Sequence, residues 1–271
     1  SIDLNVLGYL DNHALPNADN FFLSKIPTAI DEVTLYKEYG GNSIVDVTSV
    51  GLGRDPIGLH RISRSTGVNI VMGSSYYVDT AHPLDIKVRS EDELVEEIVN
   101  DITNGVGNTG VKAGVIGEVG CTWPLTDNER KVLRASGRAQ CLTGAPITIH
   151  PGRDERAPLE ALEILSKVGA DINKTIMGHI ERTIYDRDIL DRLANTGCYV
   201  EWDLFGLERS YYHDNVVVRD LPNDSLRIDQ LASLIDEGYE DKILISHDIG
   251  YKNRLASYGG QGYYYILANI I

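Results

Sequence analysis

From about residue 40 onward, the sequence alternates short apolar runs with amphipathic segments, and this alternation constrains the fold more than any other feature. Each run is rich in Ile and Val and nearly unbroken by polar residues, which is typical of strands buried on both faces of a parallel sheet. The seven runs are SIVDVTSV (43–50), VNIVMGS (68–74), GVIGEVG (114–120), PITIH (146–150), TIMGH (175–179), CYVEWD (198–203) and KILISHD (242–248). The pattern therefore predicts seven βα units in series.

The segments between the runs carry recognisable helix starts. A Ser or Thr three positions before a Glu has the spacing of a capping box, in which the two side chains cap each other's backbone N–H groups. This spacing occurs at Ser90 with Glu93 and at Thr126 with Glu129. Asp55 precedes Pro56, which places a capping carboxylate before a proline at the first helical position. We expect helices to begin at these three places.

Repeated βα units predict an α/β fold, either a doubly wound sheet or a (β/α)8 TIM barrel. No GxGxxG follows the first run, as a dinucleotide-binding doubly wound fold requires. No linker or change of composition divides residues 1–271, so we expect a single barrel domain. A barrel has eight strands, and the sequence shows seven runs. Because the chain opens on Ser1 and ends within an apolar segment, we expect it to lack the first strand and the final helix.

Charge and cysteine content narrow the partners and the compartment. The chain has 25 Lys and Arg against 40 Asp and Glu, a net charge of −15, which argues against binding nucleic acid or anionic membranes. Its 3 cysteines have no CxxC spacing, so they are expected to be reduced. The N-terminal residues do not resemble a secretory signal, and no segment is long enough to span a bilayer. We expect a cytoplasmic protein with a small-molecule substrate, and the sequence leaves open whether it forms a homodimer.

Four of the runs end in, or contain near their end, a residue that can bind a metal ion: Glu118, His150, His179 and Asp248. In a barrel, the carboxyl ends of the strands form one mouth, so these side chains are expected to converge there. A single such histidine is usually a hydrogen-bonded core residue. Four such residues in separate βα units instead predict a divalent-metal site, for which Zn²⁺ suits the nitrogen and oxygen donors.

The segments GVIGEVGCTWPLTDNERK (114–131), ITIHPGR (147–153), GHIERT (178–183) and ILISHDIGYK (243–252) resemble the phosphotriesterase family of the amidohydrolase superfamily, most closely its phosphotriesterase-related proteins. The resemblance extends over nearly the whole chain. It implies a barrel with two divalent metal ions, most often Zn²⁺, in its mouth. By the same matching, Glu118 bridges the two ions, His150 and His179 bind one of them, and Asp248 binds the other and shuttles a proton.

The sequence departs from this family at one motif. Family members carry a His-x-His pair after the first strand, whereas no two of the 7 histidines here are two residues apart. We interpret the absence as part of the missing first strand. A genuine loss of the pair, which would leave a barrel with one metal ion or none, is the alternative.

Several further residues have two interpretations. Tyr77 matches a tyrosine that lines the substrate mouth in lactonases of the family, or it packs on the barrel rim. Arg153 and Arg182 follow the two histidines by three residues and either bind an anionic substrate group or pair with carboxylates. Glu201 and Asp203 either support the metal-binding imidazoles or begin a solvated loop.

Two residues next to the predicted site are not assigned a catalytic role. His247 precedes Asp248 and is expected on the opposite face of its strand, toward the helices, where it is structural. Cys121 has no neighbouring base at a suitable spacing, so it is not expected to act as a nucleophile.

These observations predict a metal-dependent hydrolase. The expected reaction uses a hydroxide that bridges the two metal ions to attack a small amide, an ester or lactone, or a phosphoester, and Asp248 takes up the proton. Two alternatives stay open: an inactive barrel that binds a metabolite or a protein partner, and an isomerase that uses the two histidines as acid and base.

Overall fold

The computed structural model describes residues 6, 9–10, 17–209, 212–213 and 218–271, and only the backbone at 212–213 and 218–219. The strands are β1 Ser43–Asp46, β2 Asn69–Ser74, β3 Val115–Gly120, β4 Ile147–His150, β5 Thr175–Met177, β6 Tyr199–Trp202, β7 Tyr212–His213, β8 Val218–Arg219 and β9 Ile243–Ile245. The α-helices are α1 Ile26–Glu38, α2 Pro56–Thr66, α3 Glu91–Thr103, α4 Asp127–Thr143, α5 Ala157–Lys167, α6 Ile180–Thr183, α7 Arg187–Ala194 and α8 Asp224–Asp236. Short 3₁₀ turns join several of them, and the chain ends in a π-helix, Ile266–Ile270.

Seven strands form one curled parallel sheet, and their order in space, β1-β2-β3-β4-β5-β6-β9, is their order along the chain. A doubly wound sheet reverses its strand order at a switch point, whereas a barrel never does. The structure therefore confirms the barrel class. Within the described residues, β1 and β9 pair with one neighbour each and form the two edges of the sheet. The antiparallel pair β7–β8 lies outside it.

The strands are shorter than the apolar runs predicted. The run at 43–50 is a strand only at Ser43–Asp46, and Val50 makes an isolated bridge to Tyr76. The run at 175–179 ends as a strand at Met177, and the run at 242–248 ends at Ile245. An apolar run indicates that its residues are at least partly buried, but not that all of them pair with a neighbouring strand. In these three runs the backbone hydrogen bonds between strands end before the run does, where the chain turns toward the mouth of the barrel.

The predicted helix starts are confirmed. Ser90 and Glu93 at the start of α3, and Thr126 and Glu129 at the start of α4, each make both hydrogen bonds of a capping box. The Asp55 side chain accepts the backbone N–H of Gly58 at the start of α2.

The main hydrophobic core lies between the sheet and the helices that cover it. Leu94 and Ile98 of α3, Ile116 of β3 and Leu133 of α4 are at most 1% exposed and belong to one cluster. Burying each such side chain stabilises the fold by about 1.5–3 kcal/mol. This packing sets the helices against the outer face of the sheet and leaves the carboxyl ends of the strands to form a site. In the part of the chain that the structure describes, no helix combines the length and the apolar character needed to cross a bilayer.

Candidate metal centre

Glu118 is the fourth of the 6 residues of β3 and does not lie at its very end. Its backbone N–H donates to the carbonyl oxygen of Val47, 2.9 Å away. The preceding Gly117 has φ +121°, and a Cβ there would lie 2.3 Å from the carbonyl oxygen of Thr148. Only glycine fits this conformation and this close approach. Local backbone packing therefore fixes where the Glu118 side chain starts.

The two predicted histidines come from the next two strands. His150 is the last residue of β4. His179 lies two residues beyond β5, with φ 55°, and immediately precedes the short helix α6. A non-glycine residue in this left-handed region is strained, and such strain persists only where the surroundings hold it. For His179 the holding group is the Asp203 carboxylate, which accepts the histidine's backbone N–H at 2.8 Å.

The structure brings Glu118, His150 and His179 into one cluster whose potential ligand atoms all lie within 4.8 Å of one another. Glu118 Oε1 is 2.8 Å from His179 Nε2 and 3.3 Å from His150 Nδ1, and the two ring nitrogens are 2.8 Å apart. One carboxylate oxygen and two imidazole nitrogens are donors that Zn²⁺ accepts, with other first-row divalent ions possible in the same set. The donor set and its spacing therefore fit a divalent cation.

Burial and mutual charge shift the pKa values of all three groups. Burial alone would raise the pKa of Glu118, but the charges of His150 and His179 and their hydrogen bonds lower it below the ordinary range. Burial, with help from the Arg182 charge, lowers the pKa of His150 to about 3 against the pull of Glu118. The cluster therefore presents a carboxylate and a neutral His150 ring, which are the protonation states that a metal ion binds.

Asp203 holds His179 by two hydrogen bonds. In addition to the backbone contact, its Oδ1 lies 2.7 Å from His179 Nδ1. Burial would lower the pKa of His179, yet the Asp203 carboxylate raises it well above its ordinary value. A carboxylate that accepts the Nδ1 proton would leave Nε2 to bind a metal ion, which is the usual arrangement behind a histidine that binds a metal. Of the two interpretations of Asp203, the geometry supports the one in which it supports an imidazole.

A buried ionic network behind Asp203 was not predicted from the sequence. Glu181 Oε1 accepts the backbone N–H of Leu204 at 2.8 Å and lies 3.3 Å from Arg227 Nε. Arg227 Nη1 in turn lies 2.5 Å from Asp224 Oδ1. Burial and the neighbouring Asp203 raise the pKa of Glu181 to about 7. The only sequence signal is the spacing of Asp224 and Arg227 on one face of α8, which a surface helix shows equally often.

Asp248 lies three residues beyond β9, with φ 39°, and is not part of the three-residue cluster. The charges of the cluster nonetheless act on its carboxyl group. The residue as a whole is exposed, but the protein packed around its carboxyl group, together with the charges of Glu118 and Asp203, raises the pKa of Asp248 to about 6 against the opposing charge of His179. A carboxyl with a pKa near the working pH can both accept and release a proton.

His247 is half-buried and makes its hydrogen bond away from the cluster. Its Nε2 lies 2.8 Å from the carbonyl oxygen of Tyr263 and donates to it. Burial lowers its pKa to about 4. The predicted reason was wrong in one respect, since β9 ends at Ile245 and strand alternation does not extend to position 247. The hydrogen bond to the chain that follows, rather than strand alternation, accounts for its orientation.

Tyr77 stands over the ring of His150, with the two ring centroids 4.8 Å apart at 71°. Its hydroxyl oxygen is 3.1 Å from His150 Nδ1. Burial raises the pKa of Tyr77 well above its ordinary value, and the charges of Glu118 and Asp248 add to the effect. The side chain is therefore a neutral phenol next to the cluster, and it offers a hydroxyl donor there.

Two other residues considered from the sequence have defined surroundings. Glu201 is half-buried on β6, and burial together with Asp203 raises its pKa to about 8, so it is largely protonated at neutral pH. Cys121 is buried, and burial with the charge of Glu129 raises its thiol pKa well above the ordinary value. A thiol that stays protonated is a poor nucleophile.

Comparison with known proteins agrees with this geometry. The sequence profile of the Phosphotriesterase family matches residues 4–271. The chain is 49% identical to a phosphotriesterase-related protein of Nematostella vectensis over 272 residues, covering 100% of this chain and 77% of the relative. It is 45% identical to the N-acetyltaurine hydrolase of Bos taurus over 266 residues, covering 98% of this chain and 76% of that protein.

A solved structure shares the architecture over almost the whole chain. The resiniferatoxin-binding protein of Rhodobacter sphaeroides superposes with a TM-score of 0.94 at 35% sequence identity, covering 99% of this chain and 74% of that one. The family match, the relatives and the cluster of potential metal ligands agree. The chain belongs to the phosphotriesterase family, and it is a metal-dependent hydrolase.

Proposed function

We propose that this chain hydrolyses the C–N bond of small N-acyl amides, with N-acetyltaurine as the first substrate to test, and that it uses two divalent ions, most suitably Zn²⁺. The observation that carries the proposal is the cluster of Glu118, His150 and His179, whose ligand atoms lie within 4.8 Å of one another. The choice of an amide over an ester, a lactone or a phosphoester rests on the relative named N-acetyltaurine hydrolase, which is 45% identical.

In this proposal His150 and His179 would hold one ion, Glu118 would offer its carboxylate to both ions, and Asp248 would complete the second site. When bound, the ions would polarise the amide carbonyl and lower the pKa of water in the mouth. Asp203 fixes the His179 ring through its bond to Nδ1. Burial of the cluster strengthens each of these interactions, since charges attract more strongly where water is excluded.

Asp248 is proposed as the group that moves the proton. As a carboxylate, it accepts a proton from the attacking water, and it then donates this proton to the amide nitrogen as the C–N bond breaks. Amide cleavage needs this second transfer because the amine cannot leave as an anion. Hydrolysis of N-acetyltaurine in this way yields acetate and taurine. The pKa of about 6 for Asp248 suits a group that must be deprotonated before the attack and protonated after it.

The test measures acetate release from N-acetyltaurine by the purified chain with Zn²⁺ added and with Zn²⁺ removed by a chelator. A γ-lactone and a phosphotriester, assayed side by side, test the choice of bond. We expect amide hydrolysis that needs the metal and that exceeds the rates on the other two substrates. Faster cleavage of the lactone or the phosphotriester would overturn the choice of an amide, and hydrolysis unchanged by the chelator would overturn the metal-dependent mechanism.

One alternative has specific support. The similar structure from Rhodobacter sphaeroides is named for binding a ligand rather than for a reaction. This name favours a barrel that binds a small molecule without turnover. Saturable binding of N-acetyltaurine by the zinc-loaded chain, with no acetate released, would replace the hydrolase proposal with this one.

A further inference from the structure

Arg182 is a nearly buried cation next to the proposed site, with 5% of its surface exposed. It lies on α6, three residues after His179. Its Nη2 is 3.1 Å from His150 Nε2 and 3.3 Å from the carbonyl oxygen of Pro151. Its Nη1 is 3.4 Å from Thr183 Oγ1. All of these acceptors are neutral.

No carboxylate of the described residues lies within 4.0 Å of the Arg182 guanidinium, so its charge has no ion-pair partner there. Arg227 shows the contrast. It is buried as well, but it faces the carboxylates of Asp224 and Glu181. A buried charge without a counter-ion is strongly unfavourable, because the protein interior does not replace its hydration. An anion that is not among the described residues would therefore stabilise the Arg182 guanidinium.

Metal binding would increase this demand. His150 Nδ1 is the nitrogen that faces Glu118 and His179, whereas Nε2 faces Arg182. A neutral imidazole that binds a cation through Nδ1 carries its proton on Nε2, and that nitrogen can no longer accept a hydrogen bond. Arg182 would then keep only two acceptors, the Pro151 carbonyl and the Thr183 hydroxyl, and it would lie near the positive charge of the metal ion. An anion in the mouth would replace the lost acceptor and balance the charge.

We infer that Arg182 binds the anionic group of the substrate, a sulfonate or carboxylate a short chain away from the scissile amide. The inference rests on the proposed function and names the substrate group that the site recognises. The planar guanidinium presents parallel N–H groups that match the oxygens of such anions. It lies at one edge of the His150 ring, and the Glu118 carboxylate lies at the other, so the anion site and the proposed reaction centre share one side chain.

This arrangement selects against neutral substrates. A neutral amide of the same length would leave the guanidinium buried and uncompensated, and sites with such unpaired groups reject analogues that lack the matching group. The comparison uses N-acetyltaurine, N-acetyl-β-alanine and N-acetylethanolamine, which place a sulfonate, a carboxylate or a neutral hydroxyl at a similar distance from the amide. Comparing the first two substrates shows whether the site prefers a sulfonate or a carboxylate.

The central variant is Arg182→Gln, which removes the charge and keeps a polar side chain. We expect the ratio of kcat/KM for N-acetyltaurine to kcat/KM for N-acetylethanolamine to fall about 100-fold, mostly through KM, as is usual when one member of a buried charge pair is removed. Arg182→Lys keeps the cation and is expected to retain part of the preference. Arg156→Gln is the matched control, since this arginine lies in the loop after β4, is exposed and pairs with Asp154. Its ratio is expected to equal that of the wild type.

A binding measurement separates this inference from the proposed function. Titration calorimetry of taurine into the zinc-loaded wild type, Arg182→Gln and Arg156→Gln chains requires no turnover. If the wild type does not hydrolyse N-acetyltaurine but binds taurine in a way that needs Arg182, the proposed function fails and the anion site stands. Equal losses on the anionic and neutral substrates in Arg182→Gln, or unchanged taurine binding, would overturn the anion site. Zinc content is measured for each variant, and if Arg182→Gln binds less zinc, a preference retained by Arg182→Lys supports the inference and a lost preference overturns it.

Discussion

Replacing Asp203 with Asn tests whether the support behind His179 sets the affinity of the proposed metal site. The Asp203 carboxylate accepts two hydrogen bonds from His179, at 2.8 Å from the backbone N–H and at 2.7 Å from Nδ1. An asparagine of the same shape can accept only one of them through its oxygen. Its NH₂ group would face the other donor, and two donors cannot bond to each other.

The magnitude follows from which bond is lost. If the amide nitrogen faces Nδ1, the imidazole proton moves to Nε2, the nitrogen that faces Glu118 and His150. Metal binding then requires the less favourable tautomer or a ring rotation. Loss of such a supporting carboxylate costs about 10- to 100-fold in metal affinity, or about 1.4–2.7 kcal/mol. Stability without metal changes less, because Asp203 also repels Glu181 and Glu201, whose pKa values it raises.

The assay is a competition for Zn²⁺ between each protein and a chromophoric chelator at neutral pH. Glu201→Gln is the matched control. This residue lies on the same strand end, and its raised pKa of about 8 means that the glutamine resembles its protonated form. We expect the Glu201→Gln affinity to stay within about threefold of the wild type. Zinc affinity of Asp203→Asn equal to the wild type would refute the reasoning that Asp203 orients His179 for a metal ion.

Three further predictions concern Glu118, Asp248 and His247. Glu118→Ala is expected to lose bound metal and all hydrolysis while its circular dichroism stays unchanged, and full activity would contradict a shared carboxylate. Asp248→Asn is expected to abolish turnover because an amide cannot accept the proton, whereas His247→Asn is expected to keep turnover and to unfold at a lower urea concentration; a folded but inactive His247→Asn would reverse the two roles. Because the pKa of His247 falls from 6.5 to about 4 on folding, the unfolded chain binds the extra proton between these values. His247 is therefore expected to contribute a loss of about 3 kcal/mol of stability as pH falls from 6.5 to 4, and the difference between the metal-free wild type and His247→Asn in urea titrations measures this contribution.

The sequence was enough to predict the strand order and the meeting of three of the predicted ligands. Apolar runs separated by capped helices leave few topologies for parallel strands, and in a barrel the carboxyl ends of neighbouring strands meet at one edge. Glu118 lies two residues before the end of β3, His150 at the end of β4 and His179 just beyond β5. Their convergence therefore follows from topology, without knowledge of any loop.

The exact ends of the strands and the backbone at the site could not be predicted. His179 and Asp248 both have positive φ, although neither is a glycine or an asparagine. Nothing in a hydrophobic pattern signals this conformation, because it depends on hydrogen bonds such as the one from His179 to Asp203, 24 residues away. Asp248 was expected on a strand, and it lies three residues past one.

Which charged residues are buried could not be predicted from the sequence either. Glu181, Arg182 and Arg227 are each at most 5% exposed, although residues of these types are usually at the surface. Arg182 and Arg227 differ only in what faces them, a neutral ring in one case and carboxylates in the other. A sequence gives the charge of each residue but not the partner that folding brings to it.

The most direct test of the account is X-ray absorption spectroscopy at the zinc edge on the zinc-loaded chain. The account predicts imidazole scattering from two histidines with Zn–N distances of about 2.0–2.1 Å, together with oxygen ligands. It also predicts that this imidazole signal disappears in the His150→Ala, His179→Ala double variant. A zinc ion with only oxygen ligands, or an imidazole signal that survives in the double variant, would contradict the proposed metal centre.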